Sequence, residues 1–277
     1  MDIQQKILNS LKCVFTLVTI YTMIYVYKCN APNLGQPLQY NCSSNSISSI
    51  HPINQTKVLI GIFSTTEKFM RRKMIRETYL QHKPSNLDYK FIIAAPAPNE
   101  ILLNEMGLYN DIMVLDMPQE NMNKGKTFEF FRSVAERQEY RDLDFVLKAD
   151  DDAYLRLDRI KYDLAHTVRN MTYWGYLVGN TFMAGQCYGL SMDLVRWVAN
   201  SSISKKYKFG HEDSQLQKWF QWSNINHQVK YEVRNCRIHD HVNSRSVYAR
   251  EIDTNSSMVV HGLKKDHFFM TVHYALT

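Results

Sequence analysis

The sequence predicts an α/β fold, with a mostly parallel central sheet flanked by helices. Two observations carry that expectation. Between Lys57 and Ala149, short apolar runs alternate with segments whose apolar residues recur at helical spacing. In addition, 45% of the residues are hydrophobic and 22% charged, a balance that supports a buried core and excludes wholesale disorder.

Each element follows from its own pattern. KVLIGIFST (57–65) reads as a buried strand, and EKFMRRKMIRETYL (67–80) as a helix with Phe69, Met70, Met74 and Ile75 turned inward. DYKFIIAAP (88–96) is a second strand, closed by Pro96. NEILLNEMG (99–107) is a helix capped by Asn99 and stopped at Gly107. DIMVLDM (111–117) is a third strand. KTFEFFRSVAERQEY (126–140) is a helix with Phe128, Phe131 and Ala135 on one face, and DFVLKA (144–149) is the fourth strand. Further on, SQLQKWF reads as a helix burying Leu216, Trp219 and Phe220, with Glu212 and Asp213 capping its start. Trp197 and Trp219 read as core; Trp174 and Trp222 are weaker candidates for flanking a bound ligand, with core as the alternative.

Parallel α/β sheets bind ligands at the carboxyl ends of their strands. Asp150, Asp151 and Asp152 fall at such an end. Adjacent carboxylates repel, so the triplet is either a solvated acidic turn or a divalent-metal site. No G-x-G-x-x-G or P-loop follows the first strand, which argues against a dehydrogenase or a P-loop kinase. The triplet also lacks the glycine and terminal glutamate of a calcium loop. A net charge of +6 is spread over short groups such as Arg71-Arg72-Lys73, without a zinc-finger, bZIP or RNP signature. No nucleic-acid partner is expected, and the basic excess suits an anionic small substrate.

Residues 13–27, CVFTLVTIYTMIYVY, carry no charge and are bracketed by Lys12 and Lys28. As a helix this run spans about 22 Å at 1.5 Å per residue, which lysine snorkelling can extend. More positive charge before the run than after it places the N-terminus in the cytosol. The expected organisation is a cytosolic tail (1–12), a transmembrane signal anchor (13–27), a lumenal stem (28–56) rich in Asn, Ser, Gln and Pro, and a folded domain (57–277). A cleaved signal peptide and a buried helix are the alternatives. Five N-x-[ST] sequons, at Asn41, Asn54, Asn170, Asn200 and Asn255, all lie after the run and agree with a lumenal domain. In an oxidising lumen, Cys187 and Cys236 are expected to pair, the alternative being free buried thiols.

Four blocks resemble the β-1,3-glycosyltransferases of glycosyltransferase family 31. RRKMIRETY (71–79) is similar to R-x-x-I-R-x-T-W, with Tyr79 in place of tryptophan; FVLKADDDAYL (145–155) is similar to F-V-x-K-x-D-D-D-V-F-V. CYGLSMDLVRWV (187–198) resembles G-Y-V-L-S-x-D-L-V, and GHEDSQLQKWF (210–220) resembles E-D-V-x-x-G. Order and approximate spacing also match. One departure is Met-Ala-Gly-Gln-Cys before Tyr188, where the family often has C-S-G-G-G. Lys126-Thr127 is similar to the end of N-L-T-x-K-T, with the asparagine out of register.

The resemblance implies a GT-A fold, a Golgi type II membrane enzyme, Mn²⁺ or Mg²⁺, and inverting transfer of galactose or N-acetylglucosamine. The donor is a UDP-sugar and the acceptor a glycan on protein or lipid. Asp152 and His261 become the metal ligands, with His239, His241 and His267 as weaker candidates. Asp150 and Asp151, with Lys148, line the nucleotide site, and Arg76 is expected to contact the nucleotide or else acidic neighbours. Asp213, with Glu212 second, is the base that takes the acceptor's proton. The alternative is a catalytically inactive, lectin-like lumenal protein on the same fold.

Overall fold

The structure, a computed structural model, describes residues 52–95 and 98–277. The expected tail and anchor, nearly all of the stem and the Asn41 sequon lie outside the described residues. Among the described residues no helix is long and apolar enough to cross a membrane. Asn54, Asn170, Asn200 and Asn255 are all exposed.

Four strands build the parallel half of a seven-stranded sheet: β1 (Val58–Phe63), β2 (Leu87–Ala95), β3 (Ile112–Asp116) and β4 (Phe145–Asp150). They pair in parallel in the order β3-β2-β1-β4. The two central members are buried on both faces. In β1, Val58, Ile60 and Ile62 join one apolar core, while Leu59 and Phe63 join the other. That explains why the sequence shows unbroken apolar runs here instead of alternation.

The sheet is not parallel throughout. Beyond β4 come β7 (Phe182–Ser191), antiparallel to its neighbours β4 and β6, then β6 (Thr172–Val178) and β8 (Lys230–Val233). A second sheet, in the order β10-β9-β11-β5, joins β5 (Tyr154–Leu155), β9 (Ile238–His241), β10 (Ala249–Arg250) and β11 (Val259–His261). These strands run two to four residues, too short to show a period in the sequence.

The helices are α1 (Phe69–Arg76), α2 (Glu100–Tyr109), α3 (Lys126–Glu136), α4 (Leu157–Ala165), α5 (Met192–Asn200), α6 (Ser202–Lys206), α7 (Glu212–Trp222) and α8 (Asp266–Leu276). Three expectations change at this level. Met70 is 64% exposed; the inward face of α1 buries Ile75, as expected, together with the Arg72 side chain. Helix α2 starts at the expected Asn99 cap, whose side chain accepts from Leu102 N, but runs past Gly107 to a left-handed Asn110. The 126–140 segment is α3 plus a separate 3-10 turn at Gln138–Tyr140. The face 216, 219, 220 of α7 is fully buried, as its spacing requires.

The cysteines differ as well. Cys187 is a free buried thiol and Cys236 is disulfide-bonded, so the two do not pair with each other. Cys187 sits in β7 against β4, where its environment is apolar and holds its thiol up at about 12, burial being the main cause.

Candidate active site

Strand β4 delivers the acidic triplet to the carboxyl edge of the parallel sheet, where Asp150 stands beside Phe63 at the end of β1. The three aspartates then diverge. Asp151 turns inward: it is 4% exposed, accepts from Ser64 Oγ at 2.8 Å, and pairs with Lys68 Nζ at 2.8 Å. Both of its oxygens are thus engaged in closing the loop after β1, rather than facing a ligand.

Asp150 and Asp152 come together with His261. One ligand atom from each of the three lies within 4.8 Å of the others. His261 Nε2 is 3.1 Å from Asp152 Oδ1 and 3.7 Å from Asp150 Oδ2. The second sheet makes this possible: β11 pairs with β5, just past the triplet, and Leu263 N donates to Asp152 O at 3.0 Å. The chain turns at Gly262 with φ +79°, a left-handed conformation that a side chain would strain, and a Cβ there would lie 2.7 Å from Ser244 Cβ.

Two carboxylates and an imidazole nitrogen, all half-buried, form a donor set that suits Mn²⁺ and tolerates Mg²⁺. Without a cation the charges neutralise one another. Burial opposes a charged His261, but hydrogen bonds to Asp152 and Asp240 outweigh it and raise the imidazole to about 10. Burial would lift the Asp152 carboxyl, yet His261, with Lys264 and Lys68 nearby, holds it below the ordinary range. Burial raises Asp150, against the pull of Lys148.

Lys148 connects this cluster to the Glu-Asp pair. It is fully buried, and its Nζ lies 2.7 Å from Asp150 Oδ1, 2.5 Å from Gly185 O and 3.2 Å from Glu212 Oε2. An ammonium has three hydrogens, so no donor is left over for a nucleotide. Its expected place in direct nucleotide contact gives way to an internal one, because Lys148 and Asp150 lie two apart on one strand and share a face.

Glu212 is internal too. It is 6% exposed and accepts from Thr127 Oγ1 at 3.1 Å, Tyr188 OH at 3.2 Å and Lys148. Burial, reinforced by Asp213, raises its carboxyl, whereas Lys148 lowers it. Asp213, next along the first turn of α7, is half-buried and makes no ion pair among the described residues. Of the two, Asp213 is the one left available to a substrate.

Other candidates lie elsewhere. Helix α1 runs back from β1, so Arg76 sits near the start of β3, paired with Asp111 and Glu105 at 2.8 Å and stacked on Tyr109. That network holds α1 and α2 to the sheet, away from the strands' carboxyl ends. Trp174 is fully buried and donates to Asp163, so it is core, whereas Trp222 is 52% exposed beside Tyr207. His239 bonds Ser257, His241 accepts from Asn243 N, and His267 is exposed on α8; none joins the cluster.

Three contributors were not evident in the sequence. Asp240, between the candidate histidines His239 and His241, is the partner of His261 Nδ1 at 2.7 Å. Gly185 packs so closely that a Cβ would lie 1.9 Å from Asp213 Oδ1 and 2.8 Å from Glu212 Oε2. It is the glycine that remains where the family often has three. Asn123 accepts from Glu212 N at 3.0 Å, fixing the start of α7. A cavity of about 910 Å³ lined by Arg159, Arg237, His239, Glu251 and Asp253 includes none of the cluster residues, so cavity size does not locate the chemistry.

Comparison with known proteins agrees with the motif reading. Residues 70–180 match the family model described as Galactosyltransferase, a segment that includes Asp150–Asp152 but ends before Glu212 and His261. "Probable beta-1,3-galactosyltransferase 13" of Arabidopsis thaliana is 26% identical over 238 residues, covering 72% of this chain and 68% of that protein. "Probable beta-1,3-galactosyltransferase 12" of the same plant is 25% identical over 206 residues, with 61% and 55% covered. "Beta-1,3-galactosyltransferase GALT1", also of that plant, is 26% identical over 125 residues, 43% of this chain and 19% of that protein. The chain thus spans between a fifth and about two thirds of these relatives' lengths. Among solved structures, an active-site mutant of LgtC aligns with a TM-score of 0.43 at 11% identity, over 74% of this chain and 86% of that chain. Taken together, the matched segment and the plant relatives show a chain similar to the β-1,3-glycosyltransferases of glycosyltransferase family 31.

Proposed function

We propose that residues 57–277 form a GT-A-type catalytic domain that moves galactose or N-acetylglucosamine from a UDP-sugar to a glycan hydroxyl. The transfer is inverting and metal-dependent, and it forms a β-1,3 linkage. The observation that carries this reading is one arrangement: the Asp150–Asp152–His261 cluster and the Asp213 carboxylate lie on either side of Lys148, Gly185 and Glu212.

Each residue has a part. Asp152 and His261 would hold Mn²⁺ or Mg²⁺, with Asp150 joining them. When bound, such an ion neutralises the diphosphate of the leaving UDP. Asp213 takes the proton of the acceptor hydroxyl as that oxygen attacks the anomeric carbon, and the bond to the diphosphate breaks. Glu212, saturated by Thr127, Tyr188 and Lys148, holds Asp213 in place. Asp151 and Lys148 support the site from inside. A Golgi membrane location, with the apolar 13–27 run as a type II anchor, is supported by the lysines flanking that run and by the exposed sequon asparagines.

The test is UDP release from an array of UDP-sugars, with Mn²⁺ and with chelator. The expected outcome is metal-dependent release with at least one donor, reduced about 100-fold or more in Asp152→Ala, the scale of the charge stabilisation a bound ion supplies. Unchanged turnover in Asp152→Ala at saturating metal would remove that residue from the site. A lectin-like protein on the same fold would bind without releasing UDP.

A further inference from the structure

We propose that Asp240 is the positioning residue of the metal cluster: its carboxylate fixes the His261 ring so that Nε2 faces Asp150 and Asp152. This rests on the metal reading given above and deepens it.

The geometry is built at the level of the second sheet. In the parallel pairing of β9 with β11, Asp240 stands directly beside His261. The side chains then meet at 2.7 Å between Asp240 Oδ1 and His261 Nδ1, the nitrogen turned away from the cluster. Asp240 is only 7% exposed, and its own backbone N donates to Tyr248 O at 3.2 Å, so the carboxylate is held by the sheet rather than by solvent. Strand alternation sends its neighbour His239 the other way, to Ser257 and the 910 Å³ cavity.

The chemistry follows from the two nitrogens of imidazole. A ring that donates Nδ1–H to a carboxylate leaves the Nε2 lone pair for a cation, and the same bond stops the ring from turning. The carboxylate also increases the basicity of the ligating nitrogen. Asp240 is not a ligand itself, because its contact is with the far side of the ring. An asparagine in its place keeps size and can turn its oxygen to Nδ1–H, but it removes the charge.

The experiment is direct Mn²⁺ binding to the full chain, by titration calorimetry and by loss of the free-ion electron paramagnetic resonance signal. Asp240→Asn should weaken Mn²⁺ 10–100-fold, the usual effect of removing such a partner. Asp240→Glu, which keeps the carboxylate, should recover part of that loss. Glu251→Gln, an exposed change near β10, should bind like wild type. Thermal unfolding without metal separates positioning from folding: Asp240→Asn should melt within a few degrees of wild type. Where Asp240→Asn does not fold, Asp240→Ala, which leaves His261 Nδ1 without its partner, takes its place, and binding within twofold of wild type by that folded variant overturns the proposal. If wild type takes up no Mn²⁺, the metal reading itself fails. If wild type binds and Asp240→Asn binds within twofold, only the role of Asp240 is overturned.

Discussion

Gly185 shows how tightly single residues define the site. Its Cα is so close to α7 that a methyl group would overlap the Asp213 carboxylate, and Asp213 sits on a helix start pinned by Asn123 and Glu212. Gly185→Ala should therefore displace Asp213, lowering turnover at least tenfold while costing about 1–3 kcal/mol of stability, the usual range for overpacking. Steady-state kinetics and thermal melting on the same sample check both numbers; a variant with normal turnover would argue against Asp213 lying where a substrate needs it. At this scale the sequence was informative where chemistry is scarce. Three aspartates after an apolar strand and a histidine after another are unusual enough to be noticed. Asp240 was not legible, because an aspartate between two histidines on an exposed-looking segment gives no sign of the strand pairing that aims it at His261. Lys148 was legible as a motif member but not as a buried group. Burial favours its neutral form, and the carboxylates of Asp150, Glu212 and Asp213 keep it charged, above the ordinary lysine range.

At the scale of elements, the RRKMIRETY block on α1 carries an internal charge network. Glu105, from α2, accepts from Arg72 at 2.6 and 2.9 Å and from Arg76 at 2.8 Å, almost without solvent access. Burial alone would raise the Glu105 carboxyl, but the two arginines hold it below its ordinary value of 4.5. A carboxyl lowered on folding is protonated first in the unfolded chain. Its contribution is thus complete above about pH 4.5 and is lost as pH falls through the lower folded value. Glu105→Gln should lose about 3–5 kcal/mol near neutrality, because the buried Arg72 guanidinium loses its carboxylate partner, whereas Arg76 keeps Asp111. It should also flatten the acid limb of a stability–pH curve. Denaturant unfolding from pH 3 to 7 tests both, and parallel curves for the two proteins would contradict the assignment. The same network decides between the two readings of Arg76: an arginine on a helix can face a nucleotide or acidic neighbours, and the return direction of α1 puts it with Glu105 and Asp111. The strands of the parallel half were legible because burial on both faces leaves continuous apolar runs. The second sheet was not, since its strands are only two to four residues long.

For the whole molecule, the site exists because two sheets meet. The first sheet brings Asp150 at the end of β4, with Asp152 in the turn just beyond it, and Gly185 on β7; the second brings His261 on β11. Helix α7 adds Asp213, tied to β4 through Glu212 and Lys148. The central claim is that this junction transfers a sugar, with Asp213 as the base. The most direct test compares wild type with Asp213→Asn, using the donor that wild type turns over, while Mn²⁺-dependent UDP binding is measured in parallel. The account predicts unchanged UDP binding and a loss of transfer of at least about 100-fold, the scale of a missing general base. Asp213→Asn turning over within tenfold of wild type would contradict it.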